Sequence, residues 1–150
     1  MTPTIDIVDA LTMLKGFECL NLTTFRKSGA PVVTTVWFAL DAGKLYIWTA
    51  LESGKVKRIR NNPLVSVAPS SHMGKARGPA IEAVARILPP SASEREIPER
   101  LMNSKYGWMK KLFELVWRLR GQAHVYLELV PTELTALTEE VQSDRRVYHG

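Results

Sequence analysis

The chain has 150 residues, of which 45% are hydrophobic and 23% are charged, with a net charge of +5 and a pI of about 9.5. This length and composition predict a single domain, residues 1–150, with a core of its own. A lone cysteine, Cys19, excludes an intramolecular disulfide framework and a cysteine-rich metal site, and it fits a cytoplasmic protein. We expect neither a secretory signal nor a membrane span, because no apolar run approaches the roughly 20 residues that a span needs.

Positive charge is concentrated in one block of the sequence. No acidic residue lies between Glu52 and Glu82, whereas six lysine and arginine residues do. Such a block suits a polyanionic ligand, which can be a phosphate, a polyglutamate tail or nucleic acid. The chain has no helix-turn-helix, zinc-finger or RNA-recognition signature, so nucleic acid is kept only as the rival hypothesis.

The first third of the chain predicts a helix and a set of antiparallel strands. Residues 5–15 carry apolar side chains at helical spacing and predict a short helix that covers one end of a barrel. Strands at 17–27 and 31–40 flank the turn signal Ser28-Gly29, and a third strand at 44–50 follows a turn at Asp41-Ala42-Gly43.

The second predicted strand has two apolar faces. Val32, Val36, Phe38 and Leu40 alternate along one face and predict the barrel interior. The other face carries Trp37, a residue that a water-facing strand does not favour. We expect Trp37 to pack on a cofactor ring or a second subunit. A lone surface tryptophan or a small satellite core is the alternative.

The rest of the chain predicts three more strands and two helices. Strands at 64–69 and 80–88 flank a loop at 70–79, and the last strand covers 122–130, before a turn and a frayed helix from Pro131. A helix at 91–103 has Ser93 as its N-cap and is kinked or divided by Pro98. The helix at 105–120 has a wide apolar arc that requires a subunit contact or a ligand lid, in preference to a membrane surface. About six strands with hairpin turns predict a mainly β protein, an antiparallel barrel with peripheral helices.

The segment after the third strand suits an anion. Ser53 is a good N-cap for a short helix in which Val56 and Ile59 share the buried face, and Pro63 ends it. The first turn of a helix offers free backbone N–H groups and the positive end of the helix dipole. The Ser53 hydroxyl and Lys55 add donors and charge, so the segment predicts a phosphate site. A solvated basic helix is the alternative, and spacing alone does not separate the two.

Catalysis by side chains and metal binding are not predicted. His72, His124 and His149 are scattered over a loop, the exposed face of a strand and the tail, without metal-ligand spacing. No nucleophile elbow, Rossmann fingerprint or Walker loop is present. If the protein is a redox enzyme, its cofactor carries the chemistry.

The same segment resembles a known family. Ser53-Gly54-Lys55, followed by Arg60-Asn61-Asn62-Pro63, is similar to the phosphate-binding segment of the pyridoxamine 5′-phosphate oxidase-like superfamily, whose members are split β-barrels that bind flavin or deazaflavin. Gly54 stands where the flavin-binding members carry arginine, which resembles the branch that uses the deazaflavin coenzyme F420. Further matches extend the resemblance on both sides: Leu22-Thr23-Thr24-Phe25-Arg26-Lys27, Gly29, Pro31-Val32, Val36-Trp37 and Lys105-Tyr106-Gly107.

The resemblance implies a homodimeric split β-barrel of the FMN-binding type, with the cofactor at the interface. It implies that Ser53, Gly54 and Lys55 hold the cofactor phosphate. Arg58 and Arg60 would reach the phosphate or an anionic tail. The other implied contacts are Thr34, Thr35, Val36 and Trp37, whose backbone N–H groups would bind the ring edge, Thr49 at the ring or phosphate, and Tyr106 and Trp108 as a cover from the partner subunit.

The implied activity is hydride transfer from reduced coenzyme F420 to a small electron-poor organic substrate. Pyridoxamine phosphate oxidation itself is not expected, because Pro31 stands where those oxidases carry arginine and their substrate-phosphate motifs near the C-terminus are missing. An FMN-binding reductase or electron carrier of the same fold is the first alternative. A basic nucleic-acid-binding barrel and a member that only stores a ligand are the others.

Overall fold

The computed structural model describes residues 7–71, 73–89 and 93–134. Six antiparallel strands form a closed barrel in the order β1-β2-β3-β6-β5-β4, which confirms the predicted mainly β barrel. The strands are β1 (Cys19–Phe25), β2 (Pro31–Asp41), β3 (Lys44–Ala50), β4 (Leu64–Ser70), β5 (Ile81–Ile87) and β6 (His124–Leu134).

Four α-helices and a short 3₁₀ helix (Ser93–Arg95) lie outside the barrel among the described residues. The α-helices are α1 (Ile7–Leu14), α2 (Gly54–Asn61), α3 (Glu96–Tyr106) and α4 (Trp108–Leu119). Leu11 and Leu14 of α1 are buried in the barrel core, so the N-terminal helix covers the barrel as predicted; its predicted residues 5 and 6 lie outside the described residues. No helix in the described part of the chain is long and apolar enough to cross a membrane.

The barrel interior is filled by alternating side chains of all six strands. On β2, Val36 and Phe38 are buried in this core and Leu40 packs against it, which confirms the predicted inner face. Val56 and Ile59 of α2 complete the core at one end of the barrel. Burying these apolar side chains is the main stabilising term for a barrel of this size. The core therefore fixes both β2 and the start of α2 in place.

A second apolar cluster lies outside the barrel, between the outer face of β2, β3 and β6 and the two helices α3 and α4. In this cluster Trp37 stacks on Tyr106, with ring centroids 4.2 Å apart and an interplanar angle of 5°. Trp37 therefore packs on a satellite core, which was the alternative that we considered. Its contact with a cofactor ring or a second subunit stays a prediction.

The hydroxyl of Tyr106 closes the end of the β1–β2 ladder. It accepts a hydrogen bond from the Phe38 N–H at 3.0 Å and donates to the Glu18 carbonyl at 2.5 Å. Tyr106 is only 3% exposed in its own chain. The prediction that Tyr106 covers a cofactor in the partner subunit is therefore wrong, because its ring and hydroxyl are both engaged within the fold.

Three predicted boundaries change. Pro98 neither kinks nor divides its helix, because it lies in the first turn of α3, where the backbone N–H has no partner within the helix in any case. The break falls instead at Gly107, with φ of 54°, so that Tyr106 ends α3 and α4 begins after Gly107.

The last strand passes through Pro131 to Leu134, because a register shift between Glu82 and Ala83 accommodates a residue without an N–H. The predicted tail from 135 onward lies outside the described residues.

Candidate functional site

The ladder between β2 and β3 is short and leaves the first part of β2 unpaired on the β3 side. The two strands pair only from Phe38–Ile47 to Asp41–Lys44, next to a tight turn in which Ala42 and Gly43 have φ of 51° and 79°. Since Phe38 directs its N–H toward Tyr106 on the β1 side, alternation along the strand directs the N–H groups of Thr35 and Trp37 toward β3. The register gives neither residue a partner on β3. This edge of β2 therefore presents two backbone donors to a ligand.

A cavity of about 230 Å³ lies at this open edge. Five of the predicted site residues line it: Thr35, Val36, Trp37, Thr49 and Lys55. The remaining lining residues are aromatic, namely Trp48 of β3 and Phe113 and Trp117 of α4. The cavity combines open backbone donors, aromatic walls and one cation, which is the chemistry of a site for a flat, polar, anionic ring compound.

The N-terminus of α2 lies beside this cavity. Ser53 is its N-cap, but the Ser53 hydroxyl makes no capping hydrogen bond and is buried without a partner among the described residues. Lys55 is half-buried, and its pKa is lowered by burial and then by the charge of Arg58. An unused hydroxyl and a cation without a carboxylate, both at the positive end of a helix dipole, fit a bound phosphate.

Arg58 reinforces the positive charge at this helix end. Its Nε donates to the Thr24 hydroxyl at 2.6 Å, and its pKa is lowered by burial and then by Arg26. Its guanidinium folds back over Gly54, where a Cβ would lie 2.8 Å from Nη1. A larger residue at 54 would displace this guanidinium. Gly54 thus lets Arg58 supply positive charge to the first turn of its own helix.

Four of the other predicted residues do not line the cavity. Thr34 points into the barrel end, where its hydroxyl is buried without a partner among the described residues. Arg60 is exposed in the last turn of α2, away from its N-terminus. Trp108 is 72% exposed on α4, and Tyr106 is buried as described above. The cavity thus gathers the residues of β2, β3 and the α2 N-terminus.

The aromatic walls were missed by the sequence analysis. Trp48 lies within the predicted third strand and was not assigned to the site, and Phe113 and Trp117 were grouped only within a wide apolar arc. A signal was present, because Phe113 and Trp117 are four residues apart and therefore share one face of α4. The packing of α4 against β3 is what turns that face into a cavity wall.

His124 is not on an exposed strand face, contrary to our prediction. Its ring lies 5.3 Å from that of Trp48 and 6.1 Å from that of Trp117, so it is half-buried behind the cavity wall. Burial lowers the pKa of His124, and the neighbouring charges of Arg95 and Lys110 lower it further.

The other two histidines, His72 and His149, lie outside the described residues. Residues 7–71, 73–89 and 93–134 contain no cluster of potential metal ligands.

The lowered pKa of His124 predicts a loss of stability in mild acid. The unfolded chain takes up a proton near pH 6.5, whereas the folded chain resists it, so stability that is present above pH 6.5 is lost as the pH falls below it. His124→Phe, which keeps the ring contacts, is expected to flatten this dependence. Urea unfolding at several pH values above and below 6.5 measures the free energy of unfolding. If this free energy falls as steeply with pH in the variant as in the wild type, His124 is not the cause.

A sequence model of the family described as pyridoxamine 5′-phosphate oxidase matches residues 9–137. The chain belongs to the pyridoxamine 5′-phosphate oxidase family. No curated protein is significantly similar to it in sequence.

Solved structures of low sequence identity share the split-barrel fold of this family. A FAD-binding protein from Mesorhizobium loti has a TM-score of 0.63 and 18% identity, with 88% of this chain and 92% of that chain covered. An F420 reductase has a TM-score of 0.53 and 20% identity, over 79% of this chain and 89% of that chain. A heme storage protein from Vibrio cholerae has a TM-score of 0.64 and 14% identity, over 88% and 97% of the two chains. Proteins of this fold thus differ in what they bind.

Proposed function

We propose that this protein is an oxidoreductase that binds coenzyme F420 and catalyses hydride transfer to a small, electron-poor organic substrate. The observation that carries the proposal is the cavity between β2, β3 and α4, which adjoins the N-terminus of α2. The family includes split-barrel structures described as an F420 reductase and as a FAD-binding protein. Both the cavity and the fold therefore support a flavin-type ligand.

The open edge of β2 would hold the ring. The N–H groups of Thr35 and Trp37 would donate to the ring carbonyls, and the Thr49 hydroxyl lies on the opposite wall. Trp48, Phe113 and Trp117 would cover the ring and exclude water from it. These contacts would orient one face of the ring toward the substrate.

The start of α2 would hold the phosphate. Ser53 and Lys55 would contact its oxygens, together with the free N–H groups of the first turn. Arg58 would add positive charge from its position over Gly54. When bound, coenzyme F420 supplies two-electron hydride chemistry. The described residues then bind, orient and shield the ring, and none of them is assigned a proton-transfer role.

FMN is the alternative ligand, because the basic cluster of Lys55, Arg58 and Arg26 suits the phosphate of either molecule. An assay of substrate reduction separates a coenzyme F420-dependent enzyme from an FMN-dependent one. Reduced coenzyme F420 should be oxidised in the presence of a nitroaromatic or quinone acceptor, whereas FMN with a nicotinamide donor should give no comparable rate. Tight ligand binding without turnover would favour storage, and salt-sensitive oligonucleotide binding without either cofactor would favour the nucleic-acid barrel.

A homodimer is part of the proposal. The cavity of about 230 Å³ is smaller than the ~300–1,000 Å³ typical of pockets for such ligands, which supports a second chain as its other wall. The outer face of the barrel next to it carries a groove of about 650 Å³ between β1, β2, β4 and β5. Val33 and Leu64 on this face are 57% and 56% exposed. Val33 lines the groove and Thr35 lines the cavity, and the two are successive outward residues of β2, so the groove and the cavity are neighbours on this strand.

Leu64→Asp is expected to convert the dimer to a monomer, because it places a charge in the centre of this apolar face. Light scattering after size-exclusion chromatography measures the molar mass. Leu119→Asp is the matched control, since Leu119 is 78% exposed on α4, away from the groove. A monomeric wild type, or a dimer that survives Leu64→Asp, would contradict this interface.

A further inference from the structure

The helix α4 carries its apolar stripe on the outside of the molecule. Trp108, Leu112, Leu115 and Leu119 are spaced by four, three and four residues, so they lie on one helix face. Their exposed fractions are 72%, 49%, 47% and 78%. We call these four residues the outer stripe. Exposed apolar side chains in a continuous row mark an interaction surface.

The opposite face of α4 is the one that packs on the barrel. Lys110 is fully buried there, and its Nζ donates to Glu114 Oε1 at 2.6 Å. Phe113 and Trp117 flank this pair and line the cavity. The inner face of α4 therefore lines the cavity, whereas the outer stripe is exposed; the ligand lid that we predicted for this helix stays a prediction.

The charges around the outer stripe are of one sign. Glu114 is the only acidic residue between positions 105 and 123, and it is bonded to Lys110 on the inner face. Lys111 and Arg118 are exposed beside the stripe, and Arg120 follows its end. Lys111 and Arg118 are seven residues apart and lie on the same side of the stripe. An exposed apolar row with cations along its side is the pattern of a helix that lies in the interface of an anionic bilayer.

A second copy of the same face is a poorer occupant. A two-fold axis through the stripe would bring it against its own copy, and the surrounding residues of α4 offer no carboxylate to Lys111 or Arg118, so like charges would be brought together. An anionic lipid surface instead offers negative charge beside the stripe and an apolar layer beneath it. Trp108 at the start of the stripe suits the headgroup level.

We propose that the outer stripe of α4 docks the protein on an anionic membrane surface. The helix of 12 residues would lie flat, over about 18 Å, with its cations at the headgroups. Because Phe113 and Trp117 line the cavity from the opposite face of the same helix, docking would hold the cavity one helix diameter, roughly 10 Å, from the bilayer. The proposal does not depend on which cofactor the cavity binds.

Co-sedimentation with lipid vesicles tests the proposal. The wild-type protein should sediment with vesicles that contain phosphatidylglycerol and remain in solution with pure phosphatidylcholine. Leu112→Glu/Leu115→Glu and Lys111→Glu/Arg118→Glu should each reduce binding about tenfold or more. Met73→Glu, at a position 93% exposed on another surface, and Lys57→Glu, on α2, are the matched controls and should bind as the wild type does.

Circular dichroism and light scattering accompany the assay for each variant. Loss of vesicle binding with an unchanged spectrum and molar mass would support the docking surface. Absence of binding by the wild type, or binding by either double variant that is as tight as that of the wild type, would overturn it. A changed molar mass in the stripe variants would also overturn it, because the stripe would then belong to a contact with a second copy.

Discussion

Lys55→Ala is expected to weaken the binding of FMN or coenzyme F420 about ten- to a hundredfold, because it removes a charge-assisted contact worth about 1.5–3 kcal/mol. Lys55 lines the cavity beside the α2 N-terminus, and its cation has no carboxylate partner among the described residues. Folding should change little, since the substitution also removes a partly desolvated charge. Fluorescence titration of the variant measures the affinity.

Two variants of the same helix serve as comparisons. Lys57→Ala removes an exposed cation outside the cavity and should bind both cofactors as the wild type does. Arg60→Ala removes an exposed cation at the far end of α2, so it should weaken only the ligand with a polyglutamate tail. Wild-type affinity in Lys55→Ala would refute the phosphate site.

Glu114→Ala is expected to lower the free energy of unfolding by about 3 kcal/mol, because it leaves the buried Lys110 ammonium without its counter-charge. The value lies at the lower end of the range for such losses, since the Glu114 side chain is 28% exposed and water can partly replace it. The Lys110 ammonium also lies 4.9 Å from the centre of the Trp48 ring. The variant should therefore loosen the cavity wall as well.

Urea unfolding followed by tryptophan fluorescence measures this change. The double variant Lys110→Met/Glu114→Leu should be close to the wild type or more stable, because buried ion pairs are often replaceable by apolar residues. Lys111→Ala, at an exposed position of the same helix, should stay within about 0.5 kcal/mol. A loss for Glu114→Ala no larger than that of Lys111→Ala would contradict the structural role of the pair.

The barrel could be predicted from the sequence because its signals are local. Alternation along β2 identified Val36 and Phe38 as core residues, and the turn at Asp41-Ala42-Gly43 marked the β2–β3 hairpin. Ser53 as an N-cap and Pro63 as a stop signal predicted the short helix α2. These features depend on neighbouring residues, so the sequence contains them.

The features that the sequence did not reveal depend on contacts between distant segments. Tyr106 was assigned to the partner's site, whereas it caps the β1–β2 ladder 68 residues away in sequence from Phe38. The wide apolar arc of α4 did not reveal which face is the inner one, and that face buries Lys110, which Glu114 neutralises one turn later. Pro98 looked like a helix breaker because the start of α3 was predicted too early.

The measurement that tests the central claim most directly is a titration of the purified wild-type protein with coenzyme F420 and with FMN, followed by ligand fluorescence. The proposed function predicts saturable binding of coenzyme F420, tighter than that of FMN, with the intrinsic tryptophan emission quenched by a ring packed beside Trp48 and Trp117. Tighter binding of FMN would instead identify the protein as an FMN-binding flavoprotein that uses the same cavity. Binding of neither ligand would contradict the assignment of this cavity to a flavin-type cofactor.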